Sequence, residues 1–366
     1  MLRPIMATMT GLAGILVAVP AVAAERAHAP EIELLGEVRL PTGHQVEGTE
    51  MGGISGLAYD AEADRFLAIS DDRSDRDDAR FYELSLDLAD GDLVEGDVDF
   101  TGVTTLRGAD GRPYPQGTVD PEGIALDGDG DVYVSSEGDA GDLVSPSVHR
   151  YTRDGASAAE LPVPRDYAPT ADGDAGIRDN LAFESLTLTP SGRRLVTATE
   201  NALVQDGEAA TLEAGSRSRI LEYHTRREQP KTEYVYETDP IPDAPVPAGG
   251  HADNGLVELL ALDDTTFLAL ERSYSQGVGN DVRIYEVSTR PADRIRPGRA
   301  VTETPAVTKT LVANIEDDFG VAPDNLEGMA LGPDLPDGRR TLVMVSDNNF
   351  SAGQVTQFLA FAIDQG

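Results

Sequence analysis

The stretch DPEGIALDGDGDVYVSSEGD, residues 120–139, decides the fold of this chain. Its centre, DGDGD at residues 127–131, is similar to the start of an EF-hand calcium loop. Such a loop needs glycine at its sixth position and glutamate at its twelfth, but valine and glycine stand there. The stretch is instead typical of two short apolar strands joined by a Gly/Asp turn. In such a hairpin Glu122 and Glu137 lie together at the open end.

The same strand–turn–strand pattern occurs in four other places, at residues 53–72, 182–201, 256–272 and 326–348. The repeats start 62–74 residues apart. The equivalent first-strand positions are Ser55, Glu122, Glu184, Glu258 and Glu327. A long, slightly irregular repeat with Gly/Asp-rich turns and without amphipathic helices predicts a β-propeller.

Further strands complete each unit of the repeat. Third strands follow as ARFYELSLD, SVHRYTRDG, RILEYHTR, VRIYEVST and TQFLAFAI, and fourth strands as VEGDVDFTG, AELPVPRDY, TEYVYETDP and TKTLVANI. The fifth unit has no fourth strand of its own, but EIELLGEVRL at residues 31–40 has the alternation to supply it. We therefore expect an all-β, five-bladed propeller closed by its N-terminal strand. A sixth blade with a diverged motif is the alternative.

Acidic residues stand at both open ends of these hairpins. The second strands end at Asp71, Glu137, Glu200, Glu271 and Asp347. Together with Glu122, Glu184, Glu258 and Glu327, they put nine carboxylates near one mouth of the central channel. Converging like charges must either raise their pKa values or bind cations. Oxygen ligands without cysteine or clustered histidine select hard cations, so we expect Ca²⁺ first and Mg²⁺ second.

Composition limits the partners and the compartment. The 366 residues include no cysteine or tryptophan and carry a formal net charge of −36. This negative charge argues against binding to nucleic acid or to an anionic membrane. An apolar N-terminal segment ending in small residues predicts a signal peptide over residues 1–24, followed by a single domain over residues 25–366. We expect a periplasmic or secreted monomer that stays off the membrane after cleavage.

The motifs GGISGL, DPEGIAL, FESLTLTPSG with TENAL, ALERSYS, and NLEGMALGPDLPDGRRTLVMVSDNNFS resemble the phytase-like family, also described by an esterase-like activity of phytase. The resemblance covers residues 31–366 and implies an exported propeller, similar to the calcium-dependent β-propeller phytases, that acts on phosphate esters. It implies that the four first-strand glutamates are site residues. It implies the same for the pairs Asp71-Asp72, Glu200-Asn201, Glu271-Arg272 and Asp347-Asn348.

A small anionic phosphoester is the expected substrate. Arg73 and Arg272, each after a second-strand acid, could clamp its oxygens, with Asn201 and Asn348 as further contacts. The opposing interpretation is that both arginines only pair with neighbouring carboxylates. Ser55 is not a serine-esterase nucleophile, because the glycine that this motif needs two residues later is replaced by leucine. A calcium-dependent lactonase or esterase, or a non-catalytic binding propeller with structural calcium, are the alternative functions.

Overall fold

The computed structural model describes residues 30–364, and the predicted signal peptide lies outside these residues. Within the described part, the strands form five antiparallel four-stranded sheets and one two-stranded ribbon. The prediction of a five-bladed all-β propeller is confirmed.

Three strands precede the first blade: β1 (Glu31–Pro41), β2 (Gln45–Val46) and β3 (Thr49–Glu50). Strands β2 and β3 form the ribbon. The first blade consists of β4 (Ile54–Asp60), β5 (Arg65–Ser70), β6 (Arg80–Leu86) and β7 (Val98–Thr105). The second blade consists of β8 (Pro121–Leu126), β9 (Val132–Ser136), β10 (Ser147–Tyr151) and β11 (Ser157–Leu161).

In the remaining blades, too, the strands of residues 187–364 follow one another in chain order from the inner to the outer edge of the sheet. The third blade consists of β12 (Thr187–Leu188), β13 (Arg194–Ala198), β14 (Arg217–His224) and β15 (Gln229–Glu237). The fourth consists of β16 (Ala252–Ala261), β17 (Thr266–Ser275), β18 (Gly279–Ser288) and β19 (Thr308–Asn314). The fifth contains β20 (Asn325–Asp334), β21 (Arg340–Asp347) and β22 (Val355–Asp364).

The ring closes as predicted, because β1 supplies the outer strand of the fifth blade. It pairs antiparallel with β22 from Glu31 opposite Asp364 to Pro41 opposite Val355, with one irregularity between Leu34 and Gly36. Both ends of the described chain are thereby joined in one sheet, in which β1 is the outer edge strand.

The hydrophobic core lies between neighbouring blades. Alternate residues of each strand point toward the adjacent sheet, so that Phe66 and Tyr82 of the first blade pack with Val343 and Phe358 of the fifth. Comparable clusters lie between the other blades. The blades therefore fix one another's orientation around the central axis.

Helical structure is minor in the described residues. One α-helix, α1 (Ile315–Phe319), connects the fourth blade to the fifth. The side chain of Asn314 caps it by accepting hydrogen bonds from the backbone N–H groups of Glu316 and Asp317, and Gly320 ends it with a left-handed conformation. Two short 3₁₀ turns occur at Arg165–Tyr167 and Thr225–Arg227.

Candidate metal centre

Strand pairing defines equivalent positions at one mouth of the channel. In every blade, one residue of the second-strand segment near the mouth pairs with an equivalent residue of the first-strand segment. These pairs are Gly53 with Asp71, Asp120 with Glu137, Ala182 with Glu200, Gly255 with Arg272, and Asn325 with Asp347. Four of the five second-strand positions are therefore acidic, and the fourth blade has an arginine.

The positions two residues further along each first-strand segment, toward the centre of the ring, also correspond between the five blades. They are Ser55, Glu122, Glu184, Val257 and Glu327. A pairing irregularity lies at or beside this position in the first, second, fourth and fifth blades. Such bulges re-aim a side chain, and Glu122 and Glu327 stand at two of them.

Eight carboxylates come together in this way, and we call them the acidic ring. Its members are Asp71, Asp120, Glu122, Glu137, Glu184, Glu200, Glu327 and Asp347. Each interacts electrostatically with at least one other member. Asp120 was not among the predicted ligands. The sequence feature that could have identified Asp120 is its position directly before the first strand of the second repeat.

Five members of the ring converge most closely. Carboxylate oxygens of Asp120, Glu122 and Glu137 lie within 4.8 Å of one another, and so do those of Glu137, Glu184 and Glu200. Glu137 belongs to both groups, and all five side chains are buried. The donors are hard oxygens without a sulfur or imidazole among them, which fits Ca²⁺ better than a transition metal.

Burial and mutual repulsion raise the pKa values of these acids. Burial, as the main cause, raises the pKa of Asp120 to about 6, that of Glu137 to about 7 and that of Glu200 to about 8. The pKa values of Glu122 and Glu184 are also raised well above the usual range, first by burial and then by a neighbouring carboxylate, that of Glu184 for Glu122 and that of Glu137 for Glu184. A cation bound among these five carboxylates would therefore stabilise their ionised forms.

The two predicted substrate-binding arginines lie at the acidic ring. The Arg272 guanidinium is 3.6 Å from Glu200, 3.4 Å from Glu327 and 3.4 Å from Asp253. Arg73 is 3.3 Å from Asp120 and 3.1 Å from Asp139 at the rim. Both arginines thus pair with neighbouring carboxylates.

The structure does not bring Glu258 into the acidic ring. Glu258 pairs with Leu270 and is therefore equivalent to Gly56 of the first blade and Gly328 of the fifth. This position is one residue further along the first strand, away from the mouth, than the position of Glu327. The Glu258 carboxylate accepts a hydrogen bond of 2.8 Å from the backbone N–H of Leu259 and faces the backbone N–H groups of Leu186 and Met329 in the two neighbouring blades. Burial raises its pKa, and these three N–H groups oppose the rise. Glu258 thus joins three inner strands near the axis.

Glu271 also lies outside the acidic ring. It comes one residue before the equivalent position, and successive side chains of a strand point in opposite directions. Its carboxylate accepts hydrogen bonds from Lys309 at 2.5 Å and Tyr236 at 2.6 Å, and from the backbone N–H of Asp239 at 2.9 Å. The prediction of nine converging acids therefore misplaced two of them by one residue each in the same blade.

The predicted contacts Asn201 and Asn348 are buried and bonded within the protein. Asn201 accepts a hydrogen bond from the N–H of Ala210 and donates one to the carbonyl of Asn254. Asn348 accepts from the N–H groups of Gly53 and Phe350 and donates to Thr356. Both amides brace loops at the mouth, and a substrate would have to displace these bonds to reach them.

A cavity of about 710 Å³ opens beside the acidic ring on the side of the fourth and fifth blades. Arg272 and Glu327 line its boundary with the ring, and Arg39, His251, Asp253 and Tyr274 line its walls. The imidazole Nε2 of His251 lies 2.7 Å from Asp253. The cavity is polar and large enough for a small anionic molecule.

The far end of the channel differs chemically. There the inner strands of the first, second, third, fourth and fifth blades surround an apolar cavity of about 260 Å³, lined by Leu57, Ile124, Leu186, Leu259 and Met329 among others. Between the two ends the strands approach closely. A Cβ added at Gly123 would lie 2.5 Å from the backbone nitrogen of Leu186. The acidic mouth is therefore separated from the apolar end.

The sequence matches one family model, described as "Phytase-like: Esterase-like activity of phytase", over residues 49–350. This range includes every member of the acidic ring. A relative from Arthroderma benhamiae, named "Uncharacterized secreted protein", is 26% identical over 265 residues, which are 60% of this chain and 50% of that protein. The chain thus spans half the length of this curated relative.

Among solved structures, a luciferin-regenerating enzyme is similar with a TM-score of 0.40 and 11% identity, covering 92% of this chain and 95% of that one. The periplasmic gluconolactonase PpgL of Pseudomonas aeruginosa is similar with a TM-score of 0.35 and 11% identity, covering 91% of this chain and 96% of that one. Within residues 30–364, no helix has the length and apolar character needed to cross a membrane.

Proposed function

This chain belongs to the phytase-like family, and from that premise we propose that it is an exported, calcium-dependent phosphoester hydrolase. The convergence of Asp120, Glu122, Glu137, Glu184 and Glu200 carries the proposal, because buried oxygen ligands this close together favour a hard divalent cation. Export is supported by the apolar segment over residues 1–24 and by the secreted relative.

The five converging carboxylates would hold the cation. Asp71, Glu327 and Asp347 add negative charge around them. A bound calcium ion supplies the positive charge that neutralises phosphate oxygens and polarises the P–O bond. The chain's own contribution is to keep these ligands close and buried beside the ends of paired strands, so that little reorganisation is needed.

The arginines at the edges of the acidic ring would recruit the anionic substrate. Arg272 faces the cavity of about 710 Å³, and its Nε is buried without a hydrogen-bond partner among the described residues. Its contacts of 3.4–3.6 Å are longer than the 2.7–2.9 Å or so of tight charge-assisted hydrogen bonds. A phosphate oxygen could therefore gain bonds from this guanidinium without first breaking strong ones. Arg73 would act in the same way on the side of Asp120.

The test is a substrate panel of phosphomonoesters and lactones, each assayed in millimolar calcium and in chelator at matched ionic strength. We expect phosphomonoester hydrolysis that is lost with chelator and restored by calcium. Lactone hydrolysis alone would replace the proposal with the lactonase alternative, which the esterase-like description of the family also admits. Calcium binding without either activity would indicate a non-catalytic binding propeller.

A matched pair of variants links the activity to the acidic ring. Glu184→Gln removes one ligand charge from the converging group. Glu62→Gln makes the same change of charge at an exposed residue in the β4–β5 turn, at the opposite end of the propeller. Loss of activity in the first variant only supports the proposed site, and equal activity in both would count against it.

A further inference from the structure

His251 lies on the wall between two cavities at the mouth. The larger cavity, of about 710 Å³, lies on the side of the fourth and fifth blades, and Arg272 lines it. The smaller cavity, of about 280 Å³, lies between the third and fourth blades and is lined in part by Ala209 and Ala210. His251 and Asp253 line both cavities. A molecule that occupied both cavities would therefore pass these two side chains.

The Asp253 carboxylate links His251 to Arg272. Its Oδ2 lies 2.7 Å from the imidazole Nε2, and its Oδ1 lies 3.4 Å from the Arg272 guanidinium. Oδ1 also accepts a hydrogen bond of 3.2 Å from the backbone N–H of Tyr274. Both carboxylate oxygens are thus engaged, which fixes the orientation in which Asp253 meets the imidazole.

The second ring nitrogen of His251 is available to a ligand. Nδ1 forms no hydrogen bond with the residues that the structure describes, and the side chain is 68% exposed. The ring of Tyr274 lies beside the imidazole, with the ring centroids 6.1 Å apart. The hydrogen bond that one ring nitrogen makes to a carboxylate decides the role of the other. With Nε2 as the donor to Asp253, Nδ1 is the nitrogen that can exchange a proton with a substrate.

From this placement we infer that His251 is the general acid of the proposed phosphoester hydrolysis, with Asp253 as its positioning residue. The inference rests on the proposed function. Arg272 would hold the phosphate group in the larger cavity, and the alcohol part of the ester would occupy the smaller one. The ester oxygen between them would then lie beside His251. The substrates would be phosphomonoesters of compact alcohols that fit a cavity of about 280 Å³.

The reaction step needs no reactant besides the ester and water. A water molecule attacks the phosphorus, and the P–O bond to the alcohol breaks with its electron pair on the leaving oxygen. That oxygen takes the proton from Nδ1 of His251, so the product leaves as a neutral alcohol. One proton of the attacking water passes to the solvent, from which Nδ1 is protonated again. A positioned general acid contributes about 10²–10⁴-fold to the rate.

The experiment compares benzyl phosphate with 4-nitrophenyl phosphate in millimolar calcium, using the wild-type protein, His251→Ala and His44→Ala. A benzyl alkoxide needs a proton to leave, whereas 4-nitrophenolate is stable as an anion. We expect kcat/KM of His251→Ala to fall about 100-fold or more for benzyl phosphate and less than about fivefold for 4-nitrophenyl phosphate. His44 is the control, because it is exposed and lies beside Phe100 of the outer strand β7.

Added imidazole provides a second readout. It should restore benzyl phosphate hydrolysis by His251→Ala, because free imidazole can donate the missing proton, and it should leave His44→Ala unchanged. Equal losses for the two esters in His251→Ala, or no loss for either, would overturn the inference. Failure of the proposed function is distinct, because the wild-type protein would then hydrolyse neither ester, and the inference would fall with it.

Titration of inorganic phosphate separates proton donation from substrate binding and does not depend on activity. We expect His251→Ala to bind phosphate within about threefold of the wild type, because Arg272 is the proposed phosphate contact. A loss of about tenfold or more would make His251 a binding residue and overturn the inference. Ala210→Leu narrows the smaller cavity and should raise the KM for benzyl phosphate without changing phosphate affinity. An unchanged KM would overturn the placement of the alcohol.

Discussion

Glu258 and Glu184 are both buried first-strand glutamates, yet the structure predicts opposite consequences for the same substitution. Glu258 accepts a hydrogen bond from the backbone N–H of Leu259 and faces those of Leu186 and Met329. Glu184 faces other carboxylates, chiefly Glu137. We expect Glu258→Gln to lower stability without changing calcium affinity, and Glu184→Gln to weaken calcium binding without lowering the stability of the chelated protein.

The size of the Glu258 effect follows from the backbone N–H groups around it. Glutamine keeps one acceptor oxygen but turns an NH₂ group toward a backbone N–H. Burial raises the pKa of Glu258, so its hydrogen bonds are not counted at the strength of bonds to a charged group, and one buried unsatisfied donor costs about 1–3 kcal/mol. At roughly 2 °C per kcal/mol for a domain of this size, the Tm should fall by about 2–6 °C.

The Glu184 effect has a different origin. Its carboxylate lies within 4.8 Å of those of Glu137 and Glu200, so removing its charge relieves repulsion in the metal-free protein. The same change removes a ligand charge from the proposed metal centre, and calcium affinity should fall about tenfold or more. In chelator the Tm should stay equal to that of the wild type or rise slightly.

Differential scanning calorimetry in chelator and in calcium, together with calcium titration, separates the two behaviours. Glu62→Gln is the control for loss of one negative charge, which stabilises a chain of net charge −36 in a general way. If Glu258→Gln weakens calcium binding as strongly as Glu184→Gln does, then Glu258 is a ligand and the axial role assigned to it is refuted. If Glu258→Gln leaves the Tm unchanged, the contacts of Glu258 with backbone N–H groups of three blades contribute nothing measurable.

Three further predictions concern pH and a buried ion pair. Calcium affinity should rise from pH 5 to pH 8, with proton release on binding, because Asp120, Glu137 and Glu200 have raised pKa values of about 6, 7 and 8. Calorimetric titration in buffers of different ionisation enthalpy measures the affinity and the number of protons released. A calcium affinity that does not change with pH would contradict this prediction. These acids bind protons more tightly in the folded protein, so their stabilising contribution is present at low pH and is lost as pH rises through the folded pKa values. The Tm in chelator should therefore fall between pH 5 and pH 8, and calcium should suppress the fall. The same dependence of Tm on pH in chelator and in calcium would refute this prediction. Arg80 lies 2.7 Å from Asp72 with both side chains buried, so Arg80→Met should destabilise the protein by about 3–5 kcal/mol in chemical denaturation, and a change below about 1 kcal/mol would show that Asp72 is otherwise compensated.

The sequence alone was sufficient to predict the five blades and the closing strand. Strand identity followed from alternation and turns, and the missing fourth strand of the last unit pointed to residues 31–40, which pair with β22. The third blade shows the limit of that approach. The repeat over residues 182–201 predicts a first strand before its turn, but only Thr187–Leu188 forms a regular strand there, since apolar alternation does not show where strand pairing begins.

The candidate site was harder to predict at the level of single residues. Aligning the fourth repeat by its glutamate put Glu258 and Glu271 at the mouth, whereas strand pairing gives those positions to Val257 and Arg272. A shift of one residue reverses the direction of every side chain in a strand. The pairing irregularity between Leu256 and Glu258 decides which residue faces the mouth, and an apolar stretch such as LVELLAL carries no signal for it.

The shifted register of the fourth blade also explains why the mouth is asymmetric. Its displaced acid, Glu258, bonds to inner strands near the axis, and its basic residue, Arg272, neutralises the adjacent part of the acidic ring. In the second and third blades, Arg73 pairs with Asp120 and Arg272 with Glu200. Glu122, Glu137 and Glu184 form no salt bridge among the described residues, which favours a metal ion beside these three acids. The cavity of about 710 Å³ lies on the other side, beside Arg272. Metal and anionic substrate would thus approach from opposite sides of the mouth and meet at Glu200, whose carboxylate borders both the converging group and Arg272.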